Sequence, residues 1–257
     1  MSCSRIVVLF VCQLTLAFLV QKAFGVSNCS SSETFAANDP YGANLMELFS
    51  NLSTQTPPTL FGQASVGQPP DQVYGLALCA AYMSSSNCQT CVEQAANESQ
   101  NSCPNKKSAI VWSNWYGDCI LKYSDVDFFG QVDTQNKIVY QNPNTAGNPV
   151  AFAIQTSGLL LQLSNQSSAI PALYAAGELQ VYGLQKVYGL AQCTRDLAGS
   201  DCEMCLDNLI DTVIPTCCAG TEGGRVLSGS CFLQFETFLS FRLIKSTTVI
   251  QNPMNKY

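Results

Sequence analysis

Histidine is absent from this chain of 257 residues, and only 12% of its residues are charged, where an average domain carries roughly 25%. Without histidine the usual general base near neutral pH is missing, and with it the Ser-His-Asp triad and any zinc site that needs an imidazole. The 12 basic residues are outnumbered by 18 acidic ones, which excludes a phosphate backbone as partner, since that partner selects clustered Lys and Arg. Phosphate-cradling glycine loops and dinucleotide fingerprints are missing too. Two carboxylates, Asp125 and Asp127, stand close enough in sequence to suggest a glycosidase pair, but loop acids at that spacing are ordinarily solvated. The stretch "DVDFFGQVDTQN" sets Asp125, Asp127, Gly130 and Asp133 at positions 1, 3, 6 and 9 of a calcium loop. Phe129 and Asn136 then fall where that loop needs an oxygen ligand and a bidentate Glu, so no calcium is expected. Neither an enzyme nor a bound metal or cofactor is expected.

Long apolar runs are equally scarce. The main one, Ile6 to Leu19, follows Arg5 and precedes the small residues Ala23 and Gly25. It falls short of the about 20 residues of a membrane span, and a basic, apolar, then small order marks a secretory signal, here residues 1–25. The tail "FRLIKSTTVIQNPMNKY" is polar, unlike the hydrophobic end of a lipid-anchor signal. The mature chain is therefore expected to be soluble and secreted. Four glycosylation acceptors, at Asn28, Asn51, Asn97 and Asn165, fit that route.

Cysteine, by contrast, is abundant, with 14 residues, and its pattern is written twice. "VYGLALCAAYMSSSNCQTC" (residues 73–91) and "VYGLAQCTRDLAGSDCEMC" (residues 187–205) both read Val-Tyr-Gly-Leu-Ala-x-Cys, eight residues, Cys, two residues, Cys. An offset of 114 carries Cys79, Cys88, Cys91 and Cys103 onto Cys193, Cys202, Cys205 and Cys217, and Leu45 onto Leu159. It slips by two only at Cys119 and Cys231. Such a shift is a tandem duplication of one unit of about 110 residues. The two copies are assigned to 26–136 and 137–246, with a polar tail at 247–257.

Losing Cys3 and Cys12 with the signal leaves six Cys per copy: Cys29, Cys79, Cys88, Cys91, Cys103 and Cys119, then Cys193, Cys202, Cys205, Cys217, Cys218 and Cys231. An even count in an oxidising compartment is a disulfide framework. In the cytosol a Cys-x-x-Cys would suggest zinc or redox work. Here a third Cys stands nine residues before each pair, so each thiol has a structural partner within reach. Spacing alone does not choose the pairing. Copy two lacks a counterpart of Cys29 and has adjacent Cys217 and Cys218, so it either bridges those neighbours or re-pairs its set.

Leu45, Leu48, Phe49 and Leu52 form one helical stripe. A second helix is expected after Cys91 through Val92, Ala95 and Ala96. Its counterpart runs through Leu206, Leu209, Ile210 and Val213 and stops at Pro215, with Asn87 and Asp201 as N-caps. "AIVWSNWYGDCILKY", "KIVYQ" and "SCFLQFETFLSF" alternate as strands, the last with Cys231, Leu233 and Phe235 on one face and Phe232, Gln234 and Glu236 on the other. Paired helices among strands, without strict alternation, indicate an α+β fold with an antiparallel sheet.

The duplicated cysteine spacing, together with "VYGLALC", "NCQTCV", "CPNKKSAIVW", "VYGLAQCTRDL" and "GGRVLSGSC", resembles the plant cysteine-rich repeat secretory proteins. Their unit is the ginkbilobin-like, stress-antifungal domain, and the likeness covers almost all of residues 26–245. It implies a tandem of disulfide-stapled domains, each with two α-helices packed on an about five-stranded antiparallel sheet. It also implies bridges Cys29–Cys103, Cys79–Cys88, Cys91–Cys119, Cys193–Cys202 and Cys205–Cys231, leaving Cys217 and Cys218 to each other. In the founding antifungal lectin of that family an Asn just after the first Cys, an Arg before the last and a Glu five residues beyond it hold mannose. Copy one has Ser30, Ile110 and Ser124 at those places; copy two keeps Arg225 and Glu236, with Asn142 or Asn144 nearest the Asn position. A donor-only guanidinium beside an acceptor-only carboxylate suits a vicinal diol, whereas the plainer reading is a cross-strand ion pair worth under about 1 kcal/mol. The resemblance thus implies mannose-type glycan binding by copy two, in plant defence or stress. The alternative is an apoplastic protein-interaction module, a co-ligand for receptor ectodomains of the same domain family, with no sugar site.

Overall fold

The computed structural model describes residues 25–29, 33–113, 118–181, 185–239 and 248–250. The signal through residue 24, with Cys3 and Cys12, lies outside them, as do Ser30 and most of the tail. Copy one runs β1 (Val26–Asn28), α1 (Pro40–Gln55), β2 (Phe61–Val66), β3 (Val73–Cys79), α2 (Ser85–Ser102), β4 (Ala109–Ser113) and β5 (Cys119–Ser124). Its strands lie in the order β1-β4-β5-β3-β2, every pairing antiparallel.

Copy two runs β6 (Lys137–Gln141), α3 (Pro149–Ser168), β7 (Tyr174–Gln180), β8 (Lys186–Cys193), α4 (Gly199–Asn208), a π-helical turn (Leu209–Val213), α5 (Ile214–Cys217), β9 (Gly223–Ser228) and β10 (Cys231–Glu236). The order β6-β9-β10-β8-β7 repeats that of copy one. The backbone of β11 (Thr248–Ile250), inside the polar tail, adds a sixth strand, parallel to β7. The expected α+β tandem, two helices on a five-stranded sheet, is therefore present, with one edge strand more.

The repeated motif is explained by close packing. Val73, Ala77 and Cys79 of β3 face the helices of copy one, and Gly75 lets α1 touch the strand, since a Cβ there would come within 2.6 Å of Leu48. Gly189 of β8 does the same for α3, where Leu163 and Leu159 would stand 2.8 and 3.0 Å from a Cβ.

Six disulfides staple the copies: Cys29–Cys103, Cys79–Cys88, Cys91–Cys119, Cys193–Cys202, Cys205–Cys231 and Cys217–Cys218. Neither Cys-x-x-Cys closes on itself. The helices begin before these motifs, not after them as the apolar stripe suggested, because an i, i+3 spacing sets both sulfurs on one helical face. Ser84, rather than Asn87, is the N-cap of α2, accepting from the Asn87 N–H at 3.2 Å. In copy two the N-cap is Ala198, with no side-chain bond, and Asp201 lies in the first turn.

Pro215 does not end its helix either. The π turn ahead of it takes the Ile214 N–H back to the Leu209 carbonyl, which widens the coil and accommodates a residue that has no N–H to give. This turn also holds one extra residue. Cys103 and Cys218 both end their helices, and Asn105 and Gly220 beyond them both have positive φ, 58° and 78°. The structural equivalent of Cys103 is thus Cys218, not Cys217, and the offset is 115 from there to β9.

The sheets bury both faces. Helices cover one; the other faces meet each other through Leu78, Ile110, Trp112 and Ile120 of copy one and Leu190, Leu227 and Phe232 of copy two. Polar bonds cross this seam. The Gln192 amide donates to the Cys79 carbonyl at 3.1 Å and accepts from the Ala81 N–H at 2.9 Å. The Trp112 indole donates to the Ser228 carbonyl at 3.1 Å.

Candidate functional site

All the residues named for sugar binding lie along β9, β10 and the loop after β6. Gly223 stands opposite Glu236 and Arg225 opposite Gln234. Alternation sets these on the sheet face that carries Leu227 and Phe232, so Arg225 and Glu236 are diagonal neighbours on the face that meets copy one. Tyr140 of β6 flanks Arg225, and the Asn142 N–H extends that ladder to the Gly223 carbonyl at 3.0 Å.

Asn142 and Glu236 are brought together, with Asn142 Nδ2 donating to Glu236 Oε2 at 3.3 Å. The carboxylate lies over Gly223, where a Cβ would stand 1.9 Å from Oε2, so a larger residue there would push the Glu236 carboxylate out of this place. Burial raises the Glu236 pKa, the Asn142 bond opposes the rise, and the Glu222 charge adds to it. Asn144 is exposed, and its N–H bonds Asn142 Oδ1 at 3.0 Å in an Asx turn that orients Asn142.

Arg225 is engaged elsewhere. It is 4% exposed, and its guanidinium pairs with Asp118 at 3.3 Å and with the Tyr82 hydroxyl at 3.3 Å, both in copy one. It also stacks 5.4 Å above the Phe232 ring. Tyr82 in turn donates to Asp118 at 2.8 Å. Burial, opposed by Arg225 and reinforced by Asp118, pushes the Tyr82 pKa up to about 12. A buried cation needs a carboxylate close by, and Asp118 supplies it across the seam. The structure does not present a guanidinium open to solvent beside Glu236, as the vicinal-diol grip requires.

The remaining candidates are scattered. The Asp133 carboxylate is 2.9 Å from the Lys122 ammonium, Asp127 accepts from the Phe129 N–H, and Asp125 lies 3.9 Å from Lys107. Among the described residues no His, Cys, Asp or Glu cluster could hold a metal ion. Asn51, Asn97 and Asn165 lie on helices, the last two exposed, while Asn28 is on β1 and donates to Asn136 at 2.7 Å.

Tyr82, Trp112, Asp118 and Gln192, which build the seam, were not singled out from the sequence. A signal existed. "VYGLALC", "AIVW" and "CFLQF" place apolar residues on both faces, and a strand with two apolar faces needs cover on both sides.

Comparison with known proteins agrees with this architecture. A family described as Salt stress response/antifungal matches residues 28–126 and again 140–238. The chain is 47% identical over 210 residues to an antimicrobial ginkbilobin-2-like protein of Castanea crenata, covering 82% of this chain and 86% of that one. It is 42% identical over 219 residues to cysteine-rich repeat secretory protein 38 of Arabidopsis thaliana, covering 84% and 85%. Cysteine-rich receptor-like protein kinase 25 of the same plant matches at 32% over 216 residues, which is 82% of this chain but 31% of the kinase. Among solved structures, the tandem DUF26 ectodomain of the Arabidopsis thaliana cysteine-rich receptor-like protein PDLP8 superposes with a TM-score of 0.71 at 24% identity, covering 84% of this chain and 98% of that one.

Proposed function

This chain belongs to the Salt stress response/antifungal family of extracellular cysteine-rich proteins, and from that premise we propose that it is a stress or defence module that binds ectodomains of its own tandem family. The observation that carries this reading is the burial of Arg225. At 4% exposure, with its ion pair to Asp118, it serves the joint between the copies rather than a ligand. The outer surface of the joined pair is then what the protein offers a partner. The chain matches a receptor-like kinase over 31% of that kinase's length, and no helix among the described residues is long and apolar enough to cross a membrane. A co-ligand for such ectodomains fits both facts. The exposed Asn97 and Asn165 are the glycan acceptors this reading favours.

Mannose binding keeps one observation in its favour, the half-buried Asn142–Glu236 pair at 3.3 Å. A glycan array and a pull-down with purified tandem ectodomains, run side by side, separate the readings. Ectodomain capture unaffected by free mannose is expected. Mannose binding that is lost in Glu236→Ala, with no ectodomain capture, would overturn it.

A further inference from the structure

Copy two contains a cavity of about 420 Å³ between α3 and the chain from α5 to Gly220. Phe152 and Thr156 of α3, Ile214, Pro215 and Cys218 wall it, and Phe235 of β10 closes it from the sheet. Copy one has a hollow of about 220 Å³ at the same place, bounded by Gly42, Ser99, Gln100, Cys103 and Tyr123. Once the extra residue of the π turn is counted, these are the counterparts of Thr156, Ile214, Pro215, Cys218 and Phe235.

One ring separates the two. In copy one Phe35 borders the hollow, with its ring 3.0 Å from where a Cβ on Gly42 would stand and 5.2 Å from the Tyr41 ring. Its segment is held by the Thr34–Lys106 bridge and by the Phe35 N–H to the Asn105 carbonyl at 3.0 Å. Copy two repeats both contacts, with the Thr145–Thr221 bridge and the Ala146 N–H to the Gly220 carbonyl at 2.9 Å. Ala146 therefore stands where Phe35 stands, and a methyl replaces a benzyl group. The glycine beneath the ring is replaced by Thr156, which is 2% exposed and whose hydroxyl has no hydrogen-bond partner.

We propose that this cavity binds a small aromatic molecule, its ring taking up the space that the exchange of Phe35 for Ala146 leaves open and lying against the side chain of Thr156 instead of on a glycine. The volume falls within the range of small-molecule sites. The lining is almost wholly apolar and opens to solvent along Ile154 and Leu161 of α3, and the sulfur of Cys218 in the wall suits a ring edge. The proposal does not depend on the ectodomain reading.

The mature protein is titrated with N-phenyl-1-naphthylamine, a neutral fluorophore with two aromatic groups and one N–H. Saturable one-to-one binding is expected, weakened at least about tenfold by Ala146→Phe, which puts a ring of the protein's own into that space. Gly158→Leu provides a second block. Gly158 lines the cavity with open space beyond its Cα, and leucine is the better helix former, so the fold is not weakened. No saturable binding by the wild type, or unchanged binding in a folded Gly158→Leu protein, overturns the proposal.

Discussion

Where its second helix ends, copy one ties Cys103 back to Cys29, a bridge spanning 74 residues, and lays Phe35 over the junction. Copy two, at the same corner, joins Cys218 to its own neighbour and leaves a cavity. The five strands that the copies share have the same order, so the difference at this corner is not in the fold. It lies in how the entering segment is fastened: covalently in copy one, by the Thr145–Thr221 bridge and the Ala146–Gly220 bond in copy two. The seam is just as unequal. Copy two supplies Arg225 and Gln192, whose counterparts in copy one are the apolar Ile110 and Leu78, while copy one supplies Trp112 opposite the carbonyl of Ser228. Duplicated units that meet face to face need complementary surfaces, and these have diverged toward that end.

The strongest way to break the contrast is to remove its covalent half. Cys29→Ala/Cys103→Ala should lower stability by about 4 kcal/mol, since the closed loop is long, whereas Cys217→Ala/Cys218→Ala closes almost no loop and should stay within about 1 kcal/mol. Urea unfolding of both variants measures the gap, and equal losses would contradict the assignment of roles.

A smaller effect is expected at the seam. Trp112→Phe keeps most of the apolar contact but leaves the buried Ser228 carbonyl without its indole donor, at a cost of about 2 kcal/mol. Thermal unfolding should show one transition moving, because both copies share that surface; two separated transitions would mean that the seam does not couple them.

The smallest effect tests the charge on copy one. Burial alone would raise the Asp133 pKa, but the Lys122 ammonium and the bonds from Asn136 outweigh it and hold the carboxylate below its ordinary value. The resulting stabilisation is present above the unfolded carboxylate pKa of about 4 and is lost as pH falls through the lower folded one. Asp133→Asn should therefore cost about 1 kcal/mol at neutral pH, with the gap closing in acid. Denaturation curves at pH 7 and pH 3 check it. In copy two Gln234 occupies the position of Lys122, so no matching acid dependence is expected there.

The fold was largely legible in the sequence, because cysteine spacing and helical stripes are local signals. Leu45, Leu48, Phe49 and Leu52 are all buried on α1 as their period requires. The second helices were placed too late because the stripe after Cys91 was visible and the turn before it, polar and capped by Ser84, was not. Pro215 misled for a related reason: a π turn leaves no trace in hydrophobic period. The site was legible only in part. Asn142 and Glu236 meet, but the partner that draws Arg225 away is Asp118, 107 positions distant, and no local pattern reports such a contact.

The seam has a consequence for heredity. The stretch that was copied is about half the chain, yet each half alone would carry into water a sheet face paved with Trp112 and Ile120, or with Phe232 and Leu227. What the genome duplicated as one unit is here covered only as two, and a gene that lost either half is expected to encode a product that must cover that face in another way.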